Sequence, residues 1–219
     1  MLFLAVEFDV KSNLALFDFD GTITDADTFT EFVLFATPKW RLALGLVLIW
    51  PVILAFKLGW LPAARTRPIV AKVAFWHRSV AKVNAQAQAY VEHRLPQIVR
   101  PQAARRLDYH RSCGDRIIVV SASLSPYLEI WCDEQQLELL CSRLSKSKGQ
   151  SGSRYSGSYE TGDCSGQRKV EFINCAVNLD DYEQVFAYGD TDEDLPMLEL
   201  ADQAYLRWQP YQRGKKEGS

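Results

Sequence analysis

Four short apolar runs, each ending in small or acidic residues, limit the possible folds of this chain more than any other feature. They lack the alternation of a half-exposed strand, and such continuous runs are typical of strands covered on both faces in a parallel sheet. Helical patterns lie between them at 103–113, 126–134 and 169–177. The runs are NLALF (13–17), RIIVV (116–120), QVFAY (184–188) and QAYLRW (203–208). This order predicts an α/β protein with a doubly wound, mainly parallel sheet, whose ligands bind at the carboxyl ends of the strands.

One long segment, residues 24–100, does not follow this alternation. It has helical character throughout and is interrupted by several prolines. We therefore predict a helical cap, inserted after the first strand, over a core domain formed by 1–23 and 101–212. Residues 145–166 are rich in Ser and Gly, which predicts a hairpin with a mobile tip. The basic tail, 213–219, is predicted to be disordered.

The composition argues against several classes of function. The 219 residues carry a formal net charge of -2, so the chain has no general attraction for nucleic acid and we predict no nucleic-acid partner. The five cysteines show no CxxC spacing, which predicts reduced thiols rather than disulfides or a zinc site. The first residues, MLFLAVEFDVK, lack a basic region and reach acidic residues too early for a signal peptide. We predict a cytoplasmic protein.

Polar side chains stand where the predicted strands end. Asp18 and Asp20 follow the first strand, Ser121 the second and Asp190 the third, while Lys169 opens the helix before the third strand. In a parallel sheet these groups meet at one edge. Carboxylates that lie so close together cannot all remain ionised without a cation. Because the ligands are oxygens alone, the expected cation is Mg²⁺.

Two carboxylates two residues apart on a strand face one reactant together and can divide the chemistry. Asp18 would attack phosphorus as the nucleophile, and Asp20 would act as general acid and then base. Gly21 allows a sharp turn, while Ser121 and Lys169 would stabilise phosphoryl oxygens. Taken singly, each motif has an ordinary structural explanation, such as a turn, a helix start or a solvated lysine. Their combined positions predict an active site.

Four motifs in order resemble those of the haloacid dehalogenase (HAD) superfamily of aspartate-nucleophile phosphatases. They are FDFDGTIT (17–24), SAS (121–123), the lysine of CSGQRK (164–169) and GDTDEDLPML (189–198). The resemblance implies a Rossmann-like core and an aspartyl-phosphate intermediate. It implies Asp18 as nucleophile, Asp20 as acid and base, Mg²⁺ held by Asp18, the Asp20 carbonyl and Asp190 with support from Asp194, and phosphate held by Ser121, the Ala122 amide and Lys169.

The insertion after the first motif is similar to the cap of the phosphoserine-phosphatase-like branch of this superfamily. In that branch a glutamate seven residues beyond the acid/base aspartate helps to recognise the substrate, and Asp27 stands at that place here. An arginine of the cap also contributes there, for which Arg65 and Arg67 are the candidates. Glu193 replaces a phosphate-contacting asparagine. The resemblance therefore implies the reaction more directly than the substrate, with Asp27 as a specificity residue.

Residues 42–56, LALGLVLIWPVILAF, form an uncharged stretch of 15 residues flanked by basic side chains. Three interpretations remain open: contact with a membrane surface or lipid, a helix buried in the cap or a dimer and kinked or broken at Pro51, and a membrane span. An apolar segment in this place also resembles a bacterial subgroup of the same branch, typified by phosphatidylglycerophosphatase C.

These observations lead to one main hypothesis and two alternatives. The main hypothesis is a magnesium-dependent phosphatase of a lipid head-group phosphate such as phosphatidylglycerophosphate, in contact with the inner face of the membrane through 42–56. The first alternative is a phosphatase of a small soluble metabolite, similar to phosphoserine. The second is a signalling domain that uses Asp18 as a phospho-accepting switch. A proton donor two residues after Asp18, and a cap of this size, argue against a switch.

Overall fold

The computed structural model describes residues 12–149 and 152–212, and within them the strands form one six-stranded sheet and one hairpin. The strands are β1 (Leu14–Phe17), β2 (Arg116–Leu124), β3 (Glu138–Ser142), β4 (Leu144–Gly149), β5 (Gly152–Tyr159), β6 (Val185–Gly189), β7 (Gln203–Leu206) and β8 (Gln209–Tyr211). The sheet order is β3-β2-β1-β6-β7-β8, and only the pair β7–β8 is antiparallel. The prediction of a mainly parallel α/β sheet is confirmed.

Helices surround this sheet, some on its two faces and others in the inserted region. They are α1 (Thr28–Ala36), α2 (Lys39–Lys57), α3 (Ala63–Phe75), α4 (Val80–His93), α5 (Leu95–Ile98), α6 (Pro101–Cys113), α7 (Ser125–Gln135), α8 (Gln167–Ala176) and α9 (Leu195–Leu198). Side chains of β1 alternate between two apolar clusters: Ala15 and Phe17 pack with α6 and α7, and Leu14 and Leu16 with α8 and α9. Because both faces are buried, the run is apolar without alternation.

The register of β1 places the ends of three strands at one edge. Phe17 pairs with Val119 of β2 and with Tyr188 of β6, both in parallel. The residues that follow these positions therefore lie side by side at the carboxyl end of β1, which is the usual ligand site of an open α/β sheet.

Helices α1 to α5 stand over this edge as a cap. Two linkers join the cap to the sheet, and they are paired by an isolated bridge between Thr24 and Val99 and by a hydrogen bond from Asp25 N to Ile98 O (2.9 Å). The division of the chain into core and cap domains at residues 24 and 100 stays a prediction. The inserted helical region itself is present.

The hairpin β4–β5 confirms the turn-rich segment predicted at 145–166, and it packs against the cap. Its strand β5 exchanges backbone hydrogen bonds with the chain after α3, from His77 N to Tyr155 O and from Tyr155 N to Arg78 O, both 2.8 Å. The centre of its tip, the tail 213–219 and the N-terminal residues 1–11 lie outside the described residues, so the expectations of mobility, disorder and a missing signal peptide are not addressed there.

Helix α2 contains the uncharged stretch 42–56 and continues through Pro51 without a break. By length and composition it is the one helix in the described ranges that could cross a membrane. Of its 19 residues, Gly45 alone is buried, where the side chain of Val73 on α3 leaves no room for a Cβ atom. Outward-facing side chains such as Val47 and Leu48 are more than 70% exposed (72% and 73%). Within the part of the chain that the structure describes, α2 is therefore not buried in the cap, and the interpretation as a buried cap helix is wrong there.

Candidate active site

The turn after β1 forms one side of the site. Asp18 ends the strand and the chain then coils through Phe19–Ile23, with Gly21 at φ 75°. A Cβ atom on Gly21 would overlap the carboxylate of Asp190, so both the backbone angle and the close approach require glycine. The turn thus brings the first and fourth motifs into contact.

Lys169 links two buried carboxylates at the centre of the site. Its ammonium donates to Asp18 Oδ1 and to Asp194 Oδ1, both at 2.6 Å. The lysine is 1% exposed, and both aspartates are also buried. Burial on its own lowers the pKa of Lys169, but the two carboxylates outweigh it and hold the pKa above its usual value. Lys169 therefore remains charged in the site.

The pKa values of the two aspartates that share Lys169 are shifted in opposite directions. Burial, and then the charge of Asp194, raises the pKa of Asp18 well above its usual value, although Lys169 opposes this shift. Burial also acts to raise the pKa of Asp194, but Lys169 and the N–H groups of Thr191 and Asp190 hold it below the usual value. Lys169 therefore stabilises both carboxylates, while burial favours the neutral form of Asp18. A further cation beside Asp18 would favour its ionised form.

A cluster of carboxylates supplies the place for such a cation. Oxygen atoms of Asp18, Asp190 and Asp194 lie within 4.8 Å of one another. Burial, followed by the charge of Asp194, raises the pKa of Asp190 to about 6. Asp194 already accepts from Lys169 through Oδ1 and from the N–H groups of Asp190 (3.0 Å) and Thr191 (3.1 Å) through Oδ2. We therefore assign Asp18 and Asp190 as candidate ligands and Asp194 as their support.

This donor set suits Mg²⁺. It consists of oxygens alone, and magnesium takes a few carboxylates while water and phosphate oxygens complete its coordination. A Cβ atom at Gly189 would lie 2.5 Å from the Cβ of Asp194, so the backbone next to Asp190 also depends on glycine. Two glycines thus keep the cluster compact.

Asp20 is held by a set of hydroxyl groups. The N–H of Thr28 donates to Asp20 Oδ1 at 2.9 Å, the Thr28 hydroxyl donates to the same oxygen, and the Ser123 hydroxyl donates to Oδ2. Tyr127 in turn lies 2.6 Å from the Thr28 hydroxyl. Burial raises the pKa of Asp20 despite these donors, which suits a group that must carry a proton. The sequence analysis did not identify Thr28 or Tyr127, which carry no motif of their own.

The second motif lies within β2, which continues to Leu124 and not only to residue 120. Ser121 is fully buried, and its Oγ accepts the N–H of Ser123 at 3.0 Å. Ala122 lies at the cavity wall beside Asp18 and Lys169. Of the three predicted phosphate-binding residues, Ala122 and Lys169 line the cavity, whereas Ser121 is buried and is not among the described residues that line it. Their role in binding phosphate stays a prediction.

A cavity of about 870 Å³ extends from this site into the cap. One end holds Asp18, Asp20 and Lys169. The other end is apolar and lies between α2 and α3, where it is lined by Leu42, Leu46, Ile49, Ile53, Phe56, Val70 and Val73. A single ligand with a charged head and an apolar body would match both ends.

Asp27, predicted to contribute to specificity, also lines this cavity. Both its carboxylate oxygens are already bonded to Thr30: Oδ1 accepts from the backbone N–H at 3.0 Å and Oδ2 from the hydroxyl at 2.6 Å. Asp27 is therefore the N-cap of α1. Its role in specificity stays a prediction.

Arg67 joins the cap to the core. It donates to Asp163 Oδ2 (3.1 Å) and to Glu193 Oε2 (2.6 Å). Glu193, which stands in place of the asparagine expected from the resemblance, therefore pairs with the cap. Arg65, the other candidate, is not among the described residues that line the cavity. Asp163 was missed because its partner lies 96 residues away in sequence.

Comparison with known proteins agrees with this arrangement. The model of the haloacid dehalogenase-like hydrolase family matches residues 15–199. Protein CicA of Caulobacter vibrioides is 28% identical over 199 residues, covering 89% of this chain and 85% of that protein. A Bordetella pertussis protein of unknown function has a similar structure, with a TM-score of 0.70 and 18% identity over 90% of each chain. A probable phosphoserine phosphatase from Vibrio cholerae has a TM-score of 0.66 and 16% identity, covering 90% of this chain and 56% of the other.

The family model spans residues 15–199 and so covers well over half of the chain, from the strand before Asp18 to the helix after Asp194. It includes all four motifs, which confirms the resemblance found in the sequence. The chain therefore belongs to the haloacid dehalogenase-like hydrolase family.

Proposed function

We propose that this protein is a magnesium-dependent phosphomonoester hydrolase that forms an aspartyl-phosphate intermediate on Asp18. The observation that carries the proposal is the cluster at the sheet edge, where Asp18, Asp190 and Asp194 approach within 4.8 Å next to the Lys169 ammonium. Such a density of opposite charges suits a reaction in which negative charge must be neutralised on phosphoryl oxygens.

In the proposed reaction, Asp18 attacks the phosphorus atom and the bond from phosphorus to the leaving oxygen breaks. Asp20 gives its proton to that oxygen, and the alcohol leaves. Asp20 then takes a proton from a water molecule as the water oxygen attacks the same phosphorus. This breaks the bond to Asp18, releases inorganic phosphate and restores both carboxyl groups. The raised pKa of Asp20 is consistent with its first role.

The remaining residues bind and orient the phosphoryl group. Lys169, fixed between two carboxylates, places a positive charge beside Asp18. The Ser121 hydroxyl proton and the Ala122 N–H are the proposed donors to phosphoryl oxygens. Mg²⁺, held by Asp18, Asp190 and the Asp20 carbonyl, would neutralise the charge that gathers during transfer.

We further propose that the substrate is a lipid head-group phosphate, such as that of phosphatidylglycerophosphate. The cavity supports this proposal because it runs from the charged site to apolar side chains of α2 and α3. The opposite face of α2 is exposed and apolar, and Arg41 and Lys57 flank the stretch 42–56. Such a helix suits the interface of an anionic membrane, with basic side chains at the head groups. The protein would then work at the inner face of the membrane.

The alternative substrate is a small soluble phosphomonoester. It is favoured by the fold shared with the probable phosphoserine phosphatase of V. cholerae. A soluble substrate would leave the apolar end of the cavity without a role, so the lipid proposal accounts for more of the structure.

The test is phosphate release from phosphatidylglycerophosphate in mixed micelles and from phosphoserine, each with and without Mg²⁺, by wild type and Asp18→Asn. Magnesium-dependent release from the lipid, absent in the variant, supports the proposal. Release from phosphoserine with none from the lipid contradicts the lipid substrate. A stable stoichiometric phosphoprotein without turnover contradicts hydrolysis and favours a signalling switch.

A further inference from the structure

Arg100 is a basic side chain of the cavity wall that has no part in the proposed reaction. Arg100 lies between α5 and α6, in the second of the two linkers between cap and sheet, and it lines the same cavity as Asp18 and Lys169. Its backbone N–H donates to Ile23 O in the first linker at 2.8 Å. Arg100 therefore sits at the base of the cap, in the wall of the cavity.

The guanidinium of Arg100 is fixed in place. Its Nε–H group is shared between the carbonyl oxygens of Gly21 (3.1 Å) and Thr24 (3.0 Å). Both acceptors are backbone atoms of the turn that follows Asp18. Since a planar guanidinium held at Nε has little freedom left, its two terminal nitrogens point in fixed directions.

These two nitrogens have no partner among the described residues, unlike the charged groups of Lys169 and Arg67, which line the same cavity. Lys169 is paired with Asp18 and Asp194, and Arg67 is paired with Asp163 and Glu193. Arg100 forms no ion pair among the described residues, and neither terminal nitrogen has a hydrogen-bond partner there. A partly buried arginine without a counter-charge is unusual in a cavity that already contains several carboxylates.

The Arg100 guanidinium also lies close to the carboxylate cluster, on the other side of Gly21. Gly21 accepts from Arg100 through its carbonyl oxygen, while its Cα hydrogen faces the Asp190 carboxylate so closely that no Cβ fits. A single residue thus separates the guanidinium from the cluster of carboxylates. An anion bound by Arg100 would be joined to the reacting phosphoryl group by a short linker.

We infer that Arg100 binds a second anionic group of the substrate, so that the preferred substrate is a phosphomonoester carrying another phosphate on a short linker. This inference rests on the proposed function and makes its substrate class narrower. The second anion could belong to a lipid, as a phosphodiester between head group and glycerol, or to a soluble bisphosphate. Both present oxygens that the two terminal nitrogens can bind in a bidentate manner.

The test compares four substrates in two matched pairs. Glycerol 1-phosphate and glycerol 1,3-bisphosphate are soluble, whereas phosphatidic acid and phosphatidylglycerophosphate are lipids in mixed micelles. The second member of each pair has the additional anion. The measured quantity is the ratio of kcat/KM for the second member over the first, in wild type, Arg100→Gln and Arg100→Lys.

We expect this ratio to fall about tenfold or more in Arg100→Gln, mainly through KM, because a charge-assisted pair is lost. Arg100→Lys should retain part of the ratio. Arg94→Gln is the matched control, since Arg94 lies in the same part of the cap but pairs with Glu31 and does not line the cavity. The pair in which the ratio changes more identifies the lipid or the soluble source.

An unchanged ratio in Arg100→Gln, or an equal fall in Arg94→Gln, overturns the inference. If wild type hydrolyses none of the four compounds, the proposed lipid substrate is wrong, and if it also hydrolyses no phosphoserine, the proposed function fails. In either case calorimetry decides on Arg100 by itself. Glycerol 1,3-bisphosphate must then bind wild type at least about tenfold more tightly than Arg100→Gln, or the inference is wrong.

Discussion

The sheet edge and helix α2 line one cavity, but the sheet edge buries charged side chains whereas α2 exposes apolar ones. At the sheet edge a lysine and two carboxylates are buried, and each has a charged partner. On α2 large apolar side chains are in contact with solvent, and the helix packs mainly on α3. The cost of burying charge is met by the pairing within the site. Among the described residues, 12–149 and 152–212, nothing covers the apolar face of α2, which leaves this face free for a partner.

Substitution of the nucleophile should give the largest effect. Asp18→Asn is expected to lower kcat for any phosphomonoester by roughly 10⁴-fold or more, the order seen when a catalytic nucleophile is removed. The fold should persist, because the amide has the shape of the carboxyl group and burial already disfavours the charge on Asp18. Phosphate release and thermal unfolding would be measured side by side. Asp108→Asn, at an exposed site on α6, is the control. Turnover by Asp18→Asn at a tenth of the normal rate would contradict the assignment of Asp18.

Weakening of the metal site should come next. Asp190→Asn is expected to reduce the affinity for Mg²⁺ by about 10- to 100-fold, since one of few carboxylate ligands becomes neutral. Calorimetric titration with Mg²⁺ measures this loss independently of turnover. In wild type, EDTA should abolish activity and added Mg²⁺ should restore it. Full activity after exhaustive chelation would show that the cluster does not work through a metal.

The position of the candidate site could be predicted from sequence because most of its residues lie at strand ends. The aspartate and serine motifs follow recognisable apolar runs, and parallel pairing then brings Asp18 and Asp190 together without further information. The contacts that orient these groups could not be predicted. Thr28 on Asp20 and Arg67 on Asp163 depend on how the cap sits over the sheet, which no local pattern records.

Two strands and the exposure of α2 also could not be predicted from the sequence. The strand β3, ELLCS, directly follows a helix and contains only a short apolar run. The strand β8 is three residues long and contains a proline, which fits its place at the edge of the sheet. Hydropathy identified the segment 42–56 but could not choose between burial and exposure. That choice depends on the area its neighbours cover, and here α3 offers one face only.

A smaller effect is expected at the contact between cap and core. Arg67→Met removes the partner of Asp163, a largely buried carboxylate that has one oxygen without a hydrogen bond. We expect a loss of about 3 kcal/mol in the free energy of unfolding, because a buried charge is left unpaired. Chemical denaturation measures this loss. The double variant Arg67→Met, Asp163→Asn should recover most of it. A failure to recover would show that Arg67 stabilises the fold by packing alone.

Polar substitutions on the outer face of α2 should have the smallest effect on stability, and this is the sharpest test of the contrast between the two regions. Leu44, Val47 and Leu48 are exposed and do not line the cavity, so replacing all three by Gln should change the free energy of unfolding by about 0.5 kcal/mol or less per site. Binding to vesicles that contain anionic lipid should nevertheless be lost, because the apolar face that enters the interface is gone. The matched variant replaces Leu46 and Ile49, which face the cavity, by Gln. It should still bind vesicles but lose hydrolysis of the lipid in detergent micelles. If the outer variant unfolds instead, the outer face of α2 is needed for the stability of the fold. The contrast between an exposed α2 and a buried sheet edge would then be wrong.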